Sequence, residues 1–203
     1  MPSTVASLFA AAGLTHAGVM RWGTPPKLDQ PGAYVVARTE SLDDLVSEWH
    51  AELSSAALAE LLDTRPELRL DGRRPSTADL GDRLQHFWLP DEPVLYIGLA
   101  STSVRTRVTA YYRTRLGARK PHAGGWFLKT LSDLDDLWVH VAPAADPAGA
   151  EDAMLRSFCS GVSDASGARL RDPDRPFPFA NLEWPPGVRK RHGITGAKEP
   201  QPL

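Results

Sequence analysis

Six side chains in this sequence could do chemistry together. Tyr34 and Tyr96 each lie in a short apolar run beside a glycine, in Gly32-Ala33-Tyr34 and Tyr96-Ile97-Gly98. Arg107 and Tyr111 stand four apart, on one face of a helix. Glu151 follows a helix-opening Asp146-Pro147, and Asn181 closes the aromatic segment Phe177-Pro178-Phe179-Ala180. These residue types match the needs of phosphodiester hydrolysis, which are a deprotonated water, an in-line geometry and charge stabilisation on the phosphate. A tyrosine relays the water's proton if a cation lowers its pKa. An arginine meets phosphate oxygens in a bidentate way. One glutamate can hold a Mg²⁺ that otherwise keeps its waters. An asparagine can hold a pocket together through hydrogen bonds. Each residue also has an ordinary structural reading: a core tyrosine on a strand, a solvated helix arginine, a first-turn glutamate favoured by the helix dipole, a turn asparagine. Those readings, taken singly, leave the shared order of the six unexplained.

The elements that must position these residues are legible in outline. Ser3 or Thr4 caps a first helix through Ala12, ended by Gly13. Residues 22–32, dense in Pro and Gly, form a loop. Ala33 to Ala37 reads as a buried strand, Val94 to Leu99 as the clearest strand, and Leu137 to Val141 as a third. Ser41 opens a helix carrying Leu42, Leu45, Trp49, Leu53, Ala56 and Ala57 up to about Leu62, and Ser76 or Thr77 caps another. Ser101 to Ser103 precedes a helix from about Val104 to Leu116, and Ala148 to Phe158 forms a later one. The expectation is one α/β domain over 1–203. It has a small central three-stranded sheet, mixed or antiparallel, flanked by helices. A helical, acidic insertion fills 41–90, and 194–203 is a flexible tail.

Order and motifs together resemble the GIY-YIG nuclease superfamily, from about Gly32 to Asn181. Tyr96-Ile97-Gly98 is identical to the second name motif, and Gly32-Ala33-Tyr34 differs from the first only at its middle residue. Arg107-Val108 and Tyr111 look like the family's helix motif, Glu151 like its metal-binding glutamate, and Asn181 like its closing asparagine. The resemblance implies a metal-dependent endonuclease hydrolysing DNA, most readily double-stranded, with Mg²⁺ or Mn²⁺ as cofactor. In it Tyr96 or Tyr34 acts as general base, Arg107 binds phosphate, Glu151 binds metal, and Tyr111 assists at the water or leaving group. The chain departs from the family in two places. The 61 residues between Tyr34 and Tyr96 exceed a simple hairpin and read as an insertion at its tip. The helix arginine also lies one residue further on than the family pattern, which makes Arg105 a competitor of Arg107.

Composition frames this reading. The chain has 203 residues, 42 % of them hydrophobic, and needs no disulfide staple; its one cysteine, Cys159, excludes a disulfide framework or a Cys-rich metal site. The histidines show no zinc spacing. The net charge of −2 excludes a uniformly basic coat protein. It is a sum of opposed regions. Eight acids against Arg65 alone lie between Glu40 and Glu67. Seven bases and no acid lie between Ser101 and Thr130. Arg105, Arg113, Arg115, Arg119, Lys120 and Lys129, with His122 in the following loop, are the nucleic-acid-binding candidates. An acidic segment that screens DNA predicts stronger non-specific binding once 41–90 is deleted. No stretch is long and apolar enough to span a bilayer. A cytoplasmic restriction or defence enzyme fits, with the insertion or a homodimer supplying selectivity. Two further classes stay open: a non-catalytic nucleic-acid-binding module on the same fold, and a protein-interaction domain using the acidic insertion.

Overall fold

The computed structural model describes residues 2–47, 50–121, 124–184 and 186–199. Helix α1 (Val5–Ala11) precedes strands β1 (Gly18–Arg21) and β2 (Gly32–Ala37). Then come α2 (Ser55–Thr64), β3 (Arg69–Leu70), α3 (Thr77–Gln85), β4 (Val94–Ala100) and α4 (Val104–Arg113). Two 3₁₀ turns, Trp126–Thr130 and Leu134–Asp136, lead into β5 (Trp138–Pro143), α5 (Pro147–Gly161), α6 (Asp164–Gly167) and β6 (Ile194–Thr195).

The protein is a mixed α/β fold around a four-stranded antiparallel sheet of order β1-β5-β2-β4. The expected three-stranded sheet therefore gains a strand. Residues 18–21 have too little apolar alternation to read as a strand alone, and they become one by pairing Gly18 to Arg21 with Val141 to Trp138. The small pair β3-β6 lies apart.

Every residue of the central strand β2 is buried, because both sheet faces are covered. Ala33, Val35, Ala37, Val94 and Ile97 face Val5, Leu8 and Phe9 of α1 and Met154, Leu155 and Phe158 of α5. Tyr34, Val36, Tyr96, Val139 and Val141 face the larger cluster built from α2, α3, α4 and the 126–131 segment. Leu58, Leu61, Leu80, Leu84 and Phe87, all from within the expected insertion, are buried in that same cluster. The 41–90 segment joins the paired ends of the antiparallel neighbours β2 and β4, as an insertion at a hairpin tip does, and it is also one wall of the core.

Local caps decide the helix boundaries. Thr4, Ser54, Ser103 and Asp146 each accept a first-turn backbone N–H, and Ser76 with Asp79 forms a complete capping box. The helix expected from Ser41 forms only over Ser55–Thr64. Tertiary partners take the backbone groups of residues 51–54 instead. Gln85 Nε2 donates to the Ala51 carbonyl, Ser132 N–H to the Glu52 carbonyl, and Ser54 N–H to the Thr130 carbonyl. Trp49 lies outside the described residues. Helix α4 stops at Arg113 rather than Leu116, where Lys129 Nζ donates to the carbonyls of Tyr112 and Thr114.

The C-terminal stretch is docked over its described part. β6 pairs with β3, Arg83 donates to the His192 carbonyl, and Glu199 N–H donates to the Gly117 carbonyl. The expectation of a free tail from residue 194 fails up to Glu199, because these hydrogen bonds come from distant segments. Among the described residues no helix is long and apolar enough to cross a membrane. Cys159 is half-buried, and burial pushes its thiol up to about 11, as suits an unreactive packing residue.

One buried carboxyl carries a stability prediction. Glu92 is 1 % exposed, and its Oε2 accepts the Ser3 N–H at 2.9 Å. Burial, reinforced by the neighbouring Asp91, raises it from 4.5 to about 8. The folded protein therefore holds a proton that the unfolded chain releases between those values. Stability falls as pH rises through this window, by at most about 1.4 kcal/mol per pH unit. Glu92→Gln keeps an acceptor for Ser3 and removes the titration. Urea melts from pH 5 to 8 should decline in the wild type and stay flatter in the variant; parallel profiles would refute the assignment.

Candidate active site

The pairing of β2 with β4 sets Tyr34 opposite Gly98 and Val36 opposite Tyr96, so both tyrosines project from one sheet face. Their ring centroids are 5.9 Å apart. Gly98 makes this possible. A Cβ there would lie 2.6 and 2.7 Å from the Tyr34 ring end and hydroxyl and 2.7 Å from the Tyr96 ring. Tyr111 descends from α4 with its ring edge-on to Tyr96 at 5.5 Å, backed by Trp22 at 5.1 Å. Its hydroxyl donates to the Gly125 carbonyl. Gly125 has φ of 61°, and a side chain there would collide with Tyr111.

Charge converges on these rings from two helices. Burial raises the Tyr34 hydroxyl well above its ordinary value, with Tyr96 and Tyr111 adding and Arg107 opposing. That hydroxyl feels the neighbouring Tyr96, yet among the described residues none meets it in hydrogen-bond geometry. Tyr96 rises to about 12, first through burial and then through the Glu151 charge, against Arg107. Glu151, half-buried near the N-terminus of α5, rises to about 7 through burial, again against Arg107. Tyr111 rises through burial and then Tyr96. Tyr34, Tyr96, Arg107 and Glu151 thus share one field, although they come from β2, β4, α4 and α5. Among the described residues neither Arg107 nor Glu151 makes an ion pair within 4.0 Å.

Arg107 is exposed and lines a groove of about 420 Å³ with Ser101, Thr102, Ser103, Thr106 and Pro121. The first amides of α4 are already taken. Val104 N–H donates to the Gln30 carbonyl, Arg105 N–H to the Leu28 carbonyl, and Thr106 N–H to Ser103 Oγ. An anion in this groove would therefore meet side chains rather than a free helix terminus. Arg107, and not Arg105, is the arginine that acts on the tyrosines and Glu151.

Asn181 belongs to the scaffold behind the cluster. Its Oδ1 accepts the Ile97 N–H at 2.9 Å and its Nδ2 donates to the Ile97 carbonyl at 2.8 Å. Ala180 N–H donates to the Leu95 carbonyl. Strand β4 is the sheet edge, so these bonds satisfy backbone groups that would otherwise be open and hold the strand carrying Tyr96 and Gly98. Lys190, 3 % exposed, donates to the Pro178 and Phe179 carbonyls and fixes the same segment.

The basic stretch divides. Arg105, Arg113, Arg115 and Lys120 are exposed. Arg119 is partly buried and its Nε donates to the Glu199 carbonyl. Lys129 is half-buried against the Tyr111 ring at 5.6 Å, caps α4, and is drawn down to about 8 by burial. It is therefore committed to the fold rather than presented to a ligand. His122 lies outside the described residues. Two residues that shape the cluster, Trp22 and Gly125, carried no functional signal in the sequence, and Lys190, in a basic run 189–192 that reads as a solvated end or a backbone contact, is instead buried in the scaffold. Gly124-Gly125 lacks a phosphate-loop pattern, and Gly125 matters through its positive φ. Among the described residues no three His, Cys, Asp or Glu side chains are grouped as a metal cage. No family model matches the chain, and neither a curated protein nor a solved structure matches it.

Proposed function

We propose that the protein is a metal-dependent endonuclease of GIY-YIG type that hydrolyses phosphodiesters in duplex DNA. The observation that carries this reading is the shared field of Tyr96, Arg107 and Glu151, brought together from three elements while the two charged groups lack ion-pair partners among the described residues. A half-buried carboxyl set against an exposed arginine in one place, without an ion pair, is more useful to a ligand than to stability.

The donor set fits a hydrated Mg²⁺ or Mn²⁺. Glu151 offers one half-buried carboxylate, and a cation that keeps most of its waters needs few protein ligands. When bound, it would neutralise charge on the phosphate. Arg107, exposed at the groove, binds two phosphate oxygens and holds the scissile bond. Burial holds Tyr96 and Tyr34 as phenols at neutral pH, so in place of the general base expected from the sequence Tyr96 accepts a hydrogen bond from the attacking water and orients it, and the water's proton passes to bulk solvent. Tyr34 packs against Tyr96 and sets its ring position. Tyr111, whose hydroxyl is held by Gly125, is a positioning residue.

Nicking of supercoiled plasmid with Mg²⁺ or Mn²⁺ tests this reading. Arg107→Ala and Glu151→Gln should each reduce the rate on the order of 10²-fold without loss of fold. Because Glu151 must be ionised to hold a cation, the rate should climb as pH rises through about 7. Added metal competes with the proton and should shift that limb to lower pH. Equal metal-dependent nicking by wild type and both variants would sink the assignment, as would binding of duplex without cleavage under either metal.

A further inference from the structure

The segment that brings Pro121 to the Arg107 groove also brings Arg119 to a second cavity, of about 530 Å³, beneath the C-terminal stretch. Trp126 lines it, directly after the Gly125 that receives Tyr111, so this cavity backs onto the tyrosine cluster. Arg119, Arg189 and Lys198 bring cations to its wall, against Glu67 and Glu183. Both acids are already paired: Glu183 with Arg189 within the cavity wall at 3.0 Å, and Glu67 with Arg65, so Arg119 and Lys198 are the cations left over. Arg119 and Lys198 have no carboxylate within ion-pair distance among the described residues. The Arg119 Nε is used on the Glu199 carbonyl, which leaves its two terminal nitrogens.

The local field is positive. Burial and then Arg119 and Arg189 pull Lys198 down, with Glu183 opposing. Burial and then Lys190, Lys198 and Arg83 hold His192 at about 4, so it stays neutral. Two half-buried cations that repel each other in a hollow are relieved by a compact anion with several acceptor oxygens. A guanidinium fork and an ammonium together suit a phosphate. Exposed Lys120 lies in sequence between Arg119 and the Arg107 groove, so a strand could pass over cationic surface from one to the other.

We propose that the cavity lined by Arg119, Lys198 and Arg189 is a second phosphate-binding site, holding a backbone phosphate of the strand whose scissile phosphate lies at Arg107. The strand assignment rests on the endonuclease reading, whereas the phosphate site does not. The test measures anisotropy of a fluorescent duplex in EDTA, where no cleavage intervenes, alongside thermal shift with inorganic phosphate. Lys198 lends only its carbonyl to the fold, through Arg65, so its side chain can be changed without breaking that bond. Arg119→Gln with Lys198→Gln should weaken duplex binding about tenfold and make the log–log salt slope shallower by about 1, the loss of one phosphate contact. The phosphate-induced rise in melting temperature should disappear. Lys198→Arg should retain both. Duplex binding by the double variant with wild-type affinity and slope overturns the strand assignment. An unchanged phosphate shift overturns the site itself. Loss of both effects in a protein that never cleaves would support the phosphate site while defeating the endonuclease reading.

Discussion

Deleting residues 41–90 should leave a chain with no cooperative unfolding transition. The charge pattern alone suggests a removable acidic module whose loss strengthens DNA binding. The core contradicts that picture: Leu58, Leu61, Leu80, Leu84 and Phe87 are almost fully buried beside Tyr34, Tyr96 and Val104. Burying each such side chain is worth about 1.5–3 kcal/mol, so the five together rival the total of about 5–15 kcal/mol that holds an ordinary domain folded. The deletion would also expose the sheet face that carries the tyrosines. Circular dichroism during urea titration reads the outcome directly. A sigmoidal transition with a slope appropriate to the shortened chain would show that α2 and α3 are dispensable. Any change in DNA affinity measured on an unfolded deletion would say nothing about electrostatic screening.

Gly98→Ala should lose both stability and cleavage. Gly98 has an ordinary backbone conformation, so space rather than φ is at stake. The added methyl would meet the Tyr34 ring at 2.6 Å and the Tyr96 ring at 2.7 Å. Both rings sit in packed surroundings, Tyr34 wholly buried, and cannot swing clear. Overpacking of this kind costs about 1–3 kcal/mol. A displacement of a reacting group near 1 Å costs about 10²-fold in rate. Gly18→Ala supplies the contrast. It is also a strand glycine, but its nearest neighbour, Val141 Cγ2, would lie 4.0 Å away, so it should melt and cleave like the wild type. If Gly98→Ala matched Gly18→Ala in both measurements, the tight seating of the two tyrosines would be refuted.

Much of the scaffold was readable because its signals are local. The caps at Thr4, Ser76 and Asp146 satisfy amides within the next three residues, and these helices begin where the sequence places them. The apolar runs at β2 and β4 are unbroken because both of their faces are covered. The six candidate side chains were legible as types and order, and four of them, Tyr34, Tyr96, Arg107 and Glu151, do share one electrostatic neighbourhood.

What the sequence could not contain were decisions made between distant segments. Residues 18–21 are a strand only because β5 offers them an edge. Residues 51–54 leave the helical pattern because Gln85, Ser132 and Thr130 take their backbone groups. Lys129, one of seven bases in an acid-free run, is turned inward by the open carbonyls at the end of α4. Asn181 is pinned to Ile97 because β4 is left at the sheet edge. Arg107 is distinguished from Arg105 by lining the groove and by acting on Tyr34, Tyr96 and Glu151, which three other elements bring to it. Composition and spacing determined which chemical groups this protein has and which short elements carry them. Tertiary structure decided which of those groups face one another, since burial, edge pairing and the desolvation of charge depend on neighbours far away along the chain.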